Sequence, residues 1–306
     1  MNSKKFSEAL NEVENKYIDE AISYKKKAKK PVWIGWAAAA ACVCLVIFGA
    51  LFLRQPAPVL DSDNPFTVSE DGVTIPKMNV SLAADNAADM VAFFIYQGRC
   101  YVQYEWVYEA ESLVGEYLGT ATGLINEWTP ADGYVDFAGS VRGDFYAVNG
   151  YDPTFMLCMQ DGDDGAVQTY ICDNGITLKY GSELYEDRLH LSENIVSAQF
   201  ESRDSWYYSR GERYPLDDSD AAVTAFLSAL DSALFMPYNE VPLNGRSHLS
   251  EMELYHLYFQ MQNGTTVRLR LHENGYVRFD GMWSLCVQIP EESFNALLKM
   301  IENTIE

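Results

Sequence analysis

An uncharged apolar stretch near the amino terminus constrains this chain more than any other feature. Residues 33–53, from Trp33 to Leu53, contain no charged side chain. At 1.5 Å per residue, a helix of this length covers about 30 Å, the thickness of the hydrocarbon core of a bilayer. A helix also satisfies its own backbone hydrogen bonds, which hydrocarbon cannot do. The stretch therefore predicts a single transmembrane helix over residues 33–53.

The charges beside this stretch predict its orientation. Arg54 is the only basic residue that follows closely, whereas five lysines precede it: Lys25, Lys26, Lys27, Lys29 and Lys30. The positive-inside rule then predicts a single-pass cell-membrane protein, with residues 1–32 in the cytoplasm and the rest outside. Cleavage as a signal peptide and lipid attachment at Cys42 are the weaker alternatives, because the apolar run is long and continues well past Cys42.

Charge is distributed unevenly along the chain, and this limits the partners of its outer part. The net charge is −22, but residues 1–32 contain eight lysines against five acidic side chains. The part from residue 54 onward therefore holds 14 basic and 39 acidic residues. Because so acidic a surface repels polyanions, we expect no nucleic-acid binding.

Residues 1–32 carry an amphipathic helical pattern. Apolar side chains recur at three- and four-residue steps and share one helical face, in the order Phe6, Leu10, Val13, Tyr17, Ala21 and Tyr24. An isolated helix of this length is only marginally stable in water, so its apolar face needs a partner. We expect the first four of these residues to contact a partner protein. The alternative is an inert leader whose lysines serve only membrane orientation.

Composition divides the remainder of the chain into three parts. Residues 54–88 are rich in Pro, Asp, Ser and Asn, which predicts a flexible stalk, with short strand pairing near Val73–Leu82 as an open alternative. Residues 89–190 alternate short β-branched and aromatic runs with turns such as Gln97-Gly98, which predicts a β-rich domain. Residues 191–306 combine such runs with helical patterns, which predicts a second, α+β domain.

The last part, residues 191–306, predicts an antiparallel sheet packed by two helices. Strand-like runs over residues 253–289 are separated by turns that contain Asn-Gly, which predicts a meander. Apolar residues recur with helical spacing over residues 223–234 and 294–305. The fold class that the whole sequence predicts is α+β, with one transmembrane helix and an extracytoplasmic, antiparallel, β-rich region.

The sequence contains no motif that names a reaction. No nucleophile elbow, phosphate-binding glycine loop or metal-ligand spacing occurs. His256 and His272 could approach each other across a hairpin, but two histidines alone rarely form a site. Buried free thiols are favoured over disulfides for the four cysteines of the outer part, which are Cys100, Cys158, Cys172 and Cys286. We therefore predict a protein that is not an enzyme and that holds neither a metal nor a cofactor.

Aromatic side chains of the outer part are the candidates for ligand contact. The chain has 20 Tyr and 6 Trp, and such side chains stack on sugar rings or grip peptides. In β-sheet proteins they serve more often as core and cross-strand pairs. The candidate ligand-binding residues are Trp106, Trp128, Trp206, Tyr207, Tyr208 and Trp283.

The amino-terminal residues resemble a known group of proteins. Residues 7–21, Ser-Glu-Ala-Leu-Asn-Glu-Val-Glu-Asn-Lys-Tyr-Ile-Asp-Glu-Ala, are followed by the lysine run, Pro31-Val32-Trp33 and the Ala-rich stretch. Over about the first 55 residues, this layout resembles single-pass membrane proteins of anaerobic Gram-positive bacteria that are similar to anti-sigma factors. The resemblance implies that an extracytoplasmic-function sigma factor contacts Phe6, Leu10, Val13 and Tyr17. The His/Cys zinc motif of the zinc-binding anti-sigma class is absent.

Two functions are open from the sequence alone. The first is a non-enzymatic, membrane-anchored extracytoplasmic sensor or binding protein that signals through its cytoplasmic helix. The alternative is a cell-surface module that binds envelope glycan or peptide and has an inert cytoplasmic leader. The amphipathic face within residues 1–32 favours the first, and the aromatic content of the outer part favours the second.

Overall fold

Antiparallel β-sheets are the main regular structure in the part of the protein that the structure describes. The computed structural model describes residues 66–76, 91–126, 129, 133–161 and 165–305, all of which lie in the unit formed by residues 64–306. These residues build a six-stranded sheet, a seven-stranded sheet and a small three-stranded sheet. Five α-helices accompany the sheets in the described ranges.

The six-stranded sheet is formed by strands that follow each other closely in the chain. They are β3 Phe93–Tyr96, β4 Arg99–Val107, β5 Val114–Thr122, β6 Arg142–Val148, β7 Met156–Asp161 and β8 Ala166–Ile171. Their order across the sheet is β3-β4-β8-β7-β6-β5, and every neighbouring pair is antiparallel. Gln97 and Gly98 join the first two strands with φ angles of 51° and 66°, the turn geometry that matches the twist of a hairpin.

Residues 134–140 bridge the two edge strands of this sheet. Backbone hydrogen bonds run from Ile95 on β3 to Ala138 and from Thr122 on β5 to Phe137, each 2.8 Å long. A Cβ atom at position 139 would lie only 2.5 Å from a β3 carbonyl oxygen, so Gly139 permits this close approach. The sheet thereby closes around a buried aromatic cluster that includes Phe94, Tyr101, Phe145 and Tyr170.

The three-stranded sheet begins inside the segment for which the composition predicts a stalk. Its strands are β1 Thr67–Ser69, β2 Gly72–Ile75 and β9 Ile176–Leu178, paired in the order β1-β2-β9. Val73 is 1% exposed and belongs to the main core cluster. Residues 72–75 are therefore held in the fold by both strand pairing and apolar burial.

The seven-stranded sheet carries the residues on which the functional argument depends. Its strands are β10 Ile195–Ser202, β11 Arg213–Leu216, β12 Phe235–Pro237, β13 Glu253–Met261, β14 Thr266–His272, β15 Tyr276–Phe279 and β16 Leu285–Gln288. Their order is β11-β10-β13-β14-β15-β16-β12. The Asn263-Gly264 turn connects β13 to β14, with φ of 91° at Gly264.

The helices are short, and the two longest cover one face of the seven-stranded sheet. They are α1 Ser182–Tyr185, α2 Leu191–Asn194, α3 Arg203–Tyr207, α4 Ala221–Ser232 and α5 Glu291–Ile305. Asp220 caps α4 by accepting a hydrogen bond from the backbone N–H of Ala222 at 2.7 Å. The apolar stripes of the two longest helices are buried, and they consist of Val223, Phe226, Leu230, Phe294, Leu297 and Ile301.

One large core cluster contains residues of all three sheets and of the two longest helices. Ile75, Ile171, Leu269 and Leu297, for example, all belong to it. The thiols of the described cysteines are free, as predicted: Cys158, Cys172 and Cys286 are buried and Cys100 is half-buried. Burial raises the pKa of the Cys158 and Cys286 thiols to about 12.

The predicted α+β fold with a single transmembrane helix is wrong, because the described residues are mostly β-sheet. Their longest helix, α5, has 15 residues and spans about 22 Å at 1.5 Å per residue, less than the thickness of a bilayer core. In the described ranges no helix is long and apolar enough to cross a membrane. The predicted single-pass membrane location, with a cytoplasmic amino terminus, is corrected by the same finding. Residues 1–32 and 33–53, on which these predictions rested, lie outside the described residues.

Candidate functional site

One face of the seven-stranded sheet carries charged side chains in a single row. In the strand register, Arg213 on β11 pairs with Glu201 on β10, which pairs with His256 on β13. The row continues from His256 to Arg270 on β14 and from there to Arg278 on β15. We call this row of five residues the charged face.

The charged face arises from simple alternation along the strands. In β14, Val267, Leu269 and Leu271 belong to the core cluster that also contains the long helices, so the residues between them point to the opposite side. Arg268 and Arg270 occupy those positions. Although it is polar, most of this face is covered: Glu201, His256, Arg270 and Arg278 are each less than 9% exposed.

Arg270 lies at the centre of an ion-pair network. Its guanidinium contacts Asp280 at 2.6 Å and Glu253 at 3.2 Å. Asp280 also contacts Arg268 at 3.5 Å, and Glu253 accepts a hydrogen bond from His256 at 2.6 Å. Burial alone would raise the pKa of Glu253, but the hydrogen bond from His256 and the nearby positive charges outweigh it and lower that pKa to about 2. Two carboxylates therefore balance Arg268 and Arg270.

Glu201 is satisfied by a separate set of donors. Its two oxygens accept hydrogen bonds from Ser205 at 2.6 Å and from Tyr258 at 2.9 Å, and Arg213 lies 3.5 Å away. Burial opposes ionisation, but these hydrogen bonds outweigh it and lower the pKa of Glu201. Glu201 therefore anchors α3, the helix that carries Ser205, to the sheet.

Two tryptophans hold the Arg270 guanidinium between their rings. The guanidinium carbon lies 4.7 Å from the ring centre of Trp206 and 5.5 Å from that of Trp283. Trp206 also stacks on His256 at 4.6 Å, and Trp283 lies 5.2 Å from the guanidinium carbon of Arg278. These cation–π contacts fix the arginine side chains and reduce the rotamer freedom that a ligand would have to remove.

A cleft of about 470 Å³ opens at the Arg278 end of the charged face. Arg270, Arg278 and Trp283 form one wall. The remaining wall comes from the loop between β12 and β13, and it consists of Tyr238, Asn239, Val241, Leu243, Ser247, His248, Leu249 and Ser250. The cleft therefore combines two guanidinium groups, hydroxyl groups and apolar side chains, a composition typical of small-molecule sites.

Arg278 differs from its neighbours because no acidic side chain of the described residues forms a direct ion pair with it, although Asp280 and Glu253 act on it from a distance. Among the described residues, no carboxylate lies within ion-pair distance of Arg278, and its Nε has no hydrogen-bond partner. Burial and the charge of Arg270 lower the pKa of Arg278. His272 cannot supply an anion, and burial together with the charge of Arg278 lowers its pKa to about 4, so the imidazole is neutral at pH 7.

The six-stranded sheet contacts the same region through β4. Tyr104 donates a hydrogen bond to the carbonyl oxygen of Thr266 at 2.7 Å and accepts one from the N–H of Arg268 at 3.2 Å. Glu105 accepts the N–H of Thr266 at 2.8 Å. Burial raises the pKa of Glu105 to about 7, against the opposing effects of this hydrogen bond and of Arg268. The two sheets therefore meet through polar contacts at the first residues of β14.

The described candidate aromatic residues lie in two separate regions of the fold, one beside the seven-stranded sheet and one on β4 of the six-stranded sheet. Trp206, Tyr207 and Tyr208 lie in or next to α3, and Trp283 reaches the same face, where Trp206 and Trp283 are joined through Arg270. Trp283 is the only one of the six that lines the Arg278 cleft in the described structure. Trp106 is 38% exposed on β4, and the described contacts do not connect it to the others. Trp128 lies outside the described residues.

The remaining predictions concern the histidines, a metal site and the partner-contact residues. His256 and His272 lie on the neighbouring strands β13 and β14 but are not directly opposite, because His256 pairs with Arg270 and His272 pairs with Glu253. In the described ranges, no group of three or more His, Cys, Asp and Glu side chains is arranged to hold a metal ion. The predicted partner-contact residues lie outside the described part of the chain; they are Phe6, Leu10, Val13 and Tyr17.

Sequence reasoning missed the arginines that define this site. The signal was present in residues 266–272, Thr-Val-Arg-Leu-Arg-Leu-His, where arginine alternates with apolar residues. That pattern places Arg268 and Arg270 on the face opposite the core, and Arg278 lies on the next strand. The aromatic pattern of the sequence therefore pointed to Trp283 but not to the arginines beside it.

Comparison with known proteins adds no assignment to this geometry. No family model, curated protein or solved structure matches the chain. The functional argument therefore rests on the charged face and the Arg278 cleft.

Proposed function

We propose that this chain is a non-enzymatic binding protein whose ligand carries an anionic group held by Arg278. The ligand occupies the cleft between Trp283 and the loop that joins β12 to β13. In this proposal the seven-stranded sheet is a rigid support, and the charged face positions the arginines of the cleft. Arg270 and Trp283 orient the ligand, and Arg278 supplies the charge that recognises it.

The observation that carries the proposal is a buried arginine without a neutralising carboxylate. Arg278 is 8% exposed, and its Nε has no hydrogen-bond partner among the described residues. A buried charge and an unmet donor both cost free energy, because water no longer solvates them. An anion in the cleft would offset the cost of the buried charge, and a guanidinium is well suited to carboxylate and phosphate groups.

The acidic character of the whole chain supports a small ligand over a polyanion. The net charge of −22 repels nucleic acid and other long polyanions, whereas a small anion meets mainly the local field of the cleft. A volume of about 470 Å³ suits an organic molecule of modest size.

The hypotheses drawn from the sequence connect to this proposal in different ways. Binding of an envelope glycan or peptide stays a prediction, and it is compatible with a ligand that enters beside Trp283. Contact with an extracytoplasmic-function sigma factor through Phe6, Leu10, Val13 and Tyr17 also stays a prediction, because those residues lie outside the described ranges.

Thermal unfolding of the purified full chain tests the proposal. The probes are acetate, benzoate, sulfate, inorganic phosphate and phenyl phosphate, at one ionic strength maintained with sodium chloride. At a hundred times its Kd, a bound anion should stabilise the fold by about 2.7 kcal/mol, which raises the Tm of a domain of this size by roughly 5–10 °C.

Two variants locate the binding site. Arg278→Gln should lose the response, whereas Arg210→Gln should keep it, because Arg210 is exposed and stacks on Tyr208 away from the cleft. The proposal is refuted if none of the five anions raises the Tm, or if Arg278→Gln responds as the unmodified chain does.

A further inference from the structure

We infer that the anionic group recognised by the Arg278 cleft is a single carboxylate on a small, partly apolar molecule. This inference rests on the proposed function and adds the chemical class of the ligand. It follows from the balance of charges around the cleft, from the distribution of hydrogen-bond donors and from the nature of the cleft walls.

The arginines beside the cleft differ in their direct ion-pair partners. Arg270 is matched by Glu253 at 3.2 Å and by Asp280 at 2.6 Å, and the second of these carboxylates also contacts Arg268 at 3.5 Å. Arg278 is the cation for which the described residues provide no such partner. His272 adds no charge, because its lowered pKa leaves the imidazole neutral. A monoanion therefore gives Arg278 the one direct partner that it lacks, whereas a dianion would bring a second charge into a partly closed site in which Arg270 is already paired.

The donors that face the cleft also suit a carboxylate. A guanidinium offers two parallel N–H groups that fit the two oxygens of one carboxylate. Ser247, Ser250 and Tyr238 line the opposite wall and bring hydroxyl groups that can donate to an oxygen. Arg270 is already engaged by two carboxylates, so it contributes orientation more than net charge.

The walls of the cleft indicate the rest of the ligand. Val241 and Leu249 are buried members of a small apolar cluster at the cleft, and Leu243 packs against that cluster. The Trp283 ring is 58% exposed and offers a flat apolar surface at the entrance. A ligand body of the size of an aromatic ring would bury this apolar surface, and the apolar area that it buries would add to the binding affinity.

A matched set of three aromatic probes tests the charge preference by isothermal titration calorimetry on the full chain at pH 8. Benzoate carries one negative charge, phenyl phosphate carries two at this pH because its second pKa is about 6, and benzyl alcohol carries none. Benzoate should bind at least about tenfold more tightly than phenyl phosphate, and benzyl alcohol should give no measurable binding.

Three variants connect the binding to the cleft. Arg278→Gln should weaken benzoate binding at least about tenfold, Arg278→Lys should weaken it less because the charge remains, and Arg210→Gln should leave it unchanged. Cooperative unfolding of each variant establishes that it is folded. If Arg278→Gln does not fold, the lysine variant and Trp283→Leu, in which an exposed ring is removed, provide the comparison.

The outcomes separate this inference from the proposed function. Tighter binding of phenyl phosphate that is lost in the Arg278 variants would overturn the carboxylate inference and leave the anion-binding function standing. Binding of benzyl alcohol equal to that of benzoate would overturn both, and so would the absence of binding by either anion. Benzoate binding that is unaffected by every Arg278 variant would also overturn both.

Discussion

Replacement of Glu253 by Gln should show how strongly the charged face depends on the carboxylates that pair with its arginines. Glu253 is 6% exposed, accepts a hydrogen bond from His256 at 2.6 Å and pairs with Arg270 at 3.2 Å. Its pKa falls from the usual 4.5 to about 2 in the folded protein. At 1.36 kcal/mol for each pH unit, this fall corresponds to about 3 kcal/mol of stability at pH 7.

The sign of the pH dependence follows from the lowered pKa. The folded protein binds the proton less tightly than the unfolded chain, so the contribution of Glu253 is fully present above pH 4.5 and is lost as the pH falls toward 2. The free energy of unfolding of Glu253→Gln should therefore lie about 3 kcal/mol below that of the unmodified chain at pH 7. The difference should shrink to about 1 kcal/mol at pH 3.

Urea unfolding followed by circular dichroism at pH 7, 5, 4 and 3 measures this difference. Glu251→Gln is the matched control, because Glu251 lies two residues earlier on an exposed position, and its replacement should change the free energy of unfolding by less than about 0.5 kcal/mol. A difference below 1 kcal/mol at pH 7, or one that stays constant down to pH 3, would refute the reasoning.

Three further predictions concern other parts of the fold. Glu105→Gln should stabilise the protein by about 1–3 kcal/mol at pH 8, because burial raises the pKa of Glu105 to about 7 and its ionisation destabilises the fold. Below about pH 4.5 the substitution should have no effect, and urea unfolding at both pH values checks this. Gly181→Ala should cost about 1–3 kcal/mol in the same assay, since the new Cβ would lie 1.9 Å from the carbonyl oxygen of Leu230, and an unchanged midpoint would contradict it. Peptide-resolved alkylation should modify the buried thiols only after unfolding, and rapid labelling of the native chain at Cys158, Cys172 or Cys286 would contradict their burial.

The strands and long helices of the described part could be predicted from local pattern. Apolar periodicity over residues 223–234 and 294–305 indicates α4 and α5, and the structure has these helices at Ala221–Ser232 and Glu291–Ile305. The hairpin turns at Gln97-Gly98 and Asn263-Gly264 lie where their residue types predict them. These features depend on residues close in sequence, which is why pattern analysis reaches them.

Features that depend on distant residues could not be predicted in the same way. The pairing of β2 with β9 joins residues about a hundred positions apart, so the composition of residues 54–88 indicated a stalk and left strand pairing near Val73–Leu82 only as an alternative. The bridge formed by residues 134–140 is likewise a tertiary contact without a local signal. Overall sheet content and the order of the strands are decided by such non-local pairing.

The candidate site shows the same division between local and distant information. Alternation in β14 and β15 places Arg268, Arg270 and Arg278 on one face. Whether an arginine on that face is neutralised depends on which carboxylates the fold brings near it. Asp280 and Glu253 reach Arg270, and among the described residues none reaches Arg278. That difference is invisible in a sequence with 44 acidic residues.

The bridge across the six-stranded sheet also affects how copies of this chain behave toward each other. An open edge strand presents unpaired N–H and C=O groups to which another chain can add a strand, a common route to aggregation. In this sheet, residues 134–140 occupy the edges of both β3 and β5. In the seven-stranded sheet, Pro215 removes a backbone donor from the edge strand β11, and Phe235 on β12 donates to the carbonyl oxygen of Lys179 at 2.9 Å. These edges of the described sheets therefore resist growth by strand addition, which protects a fold this rich in β-structure at high concentration.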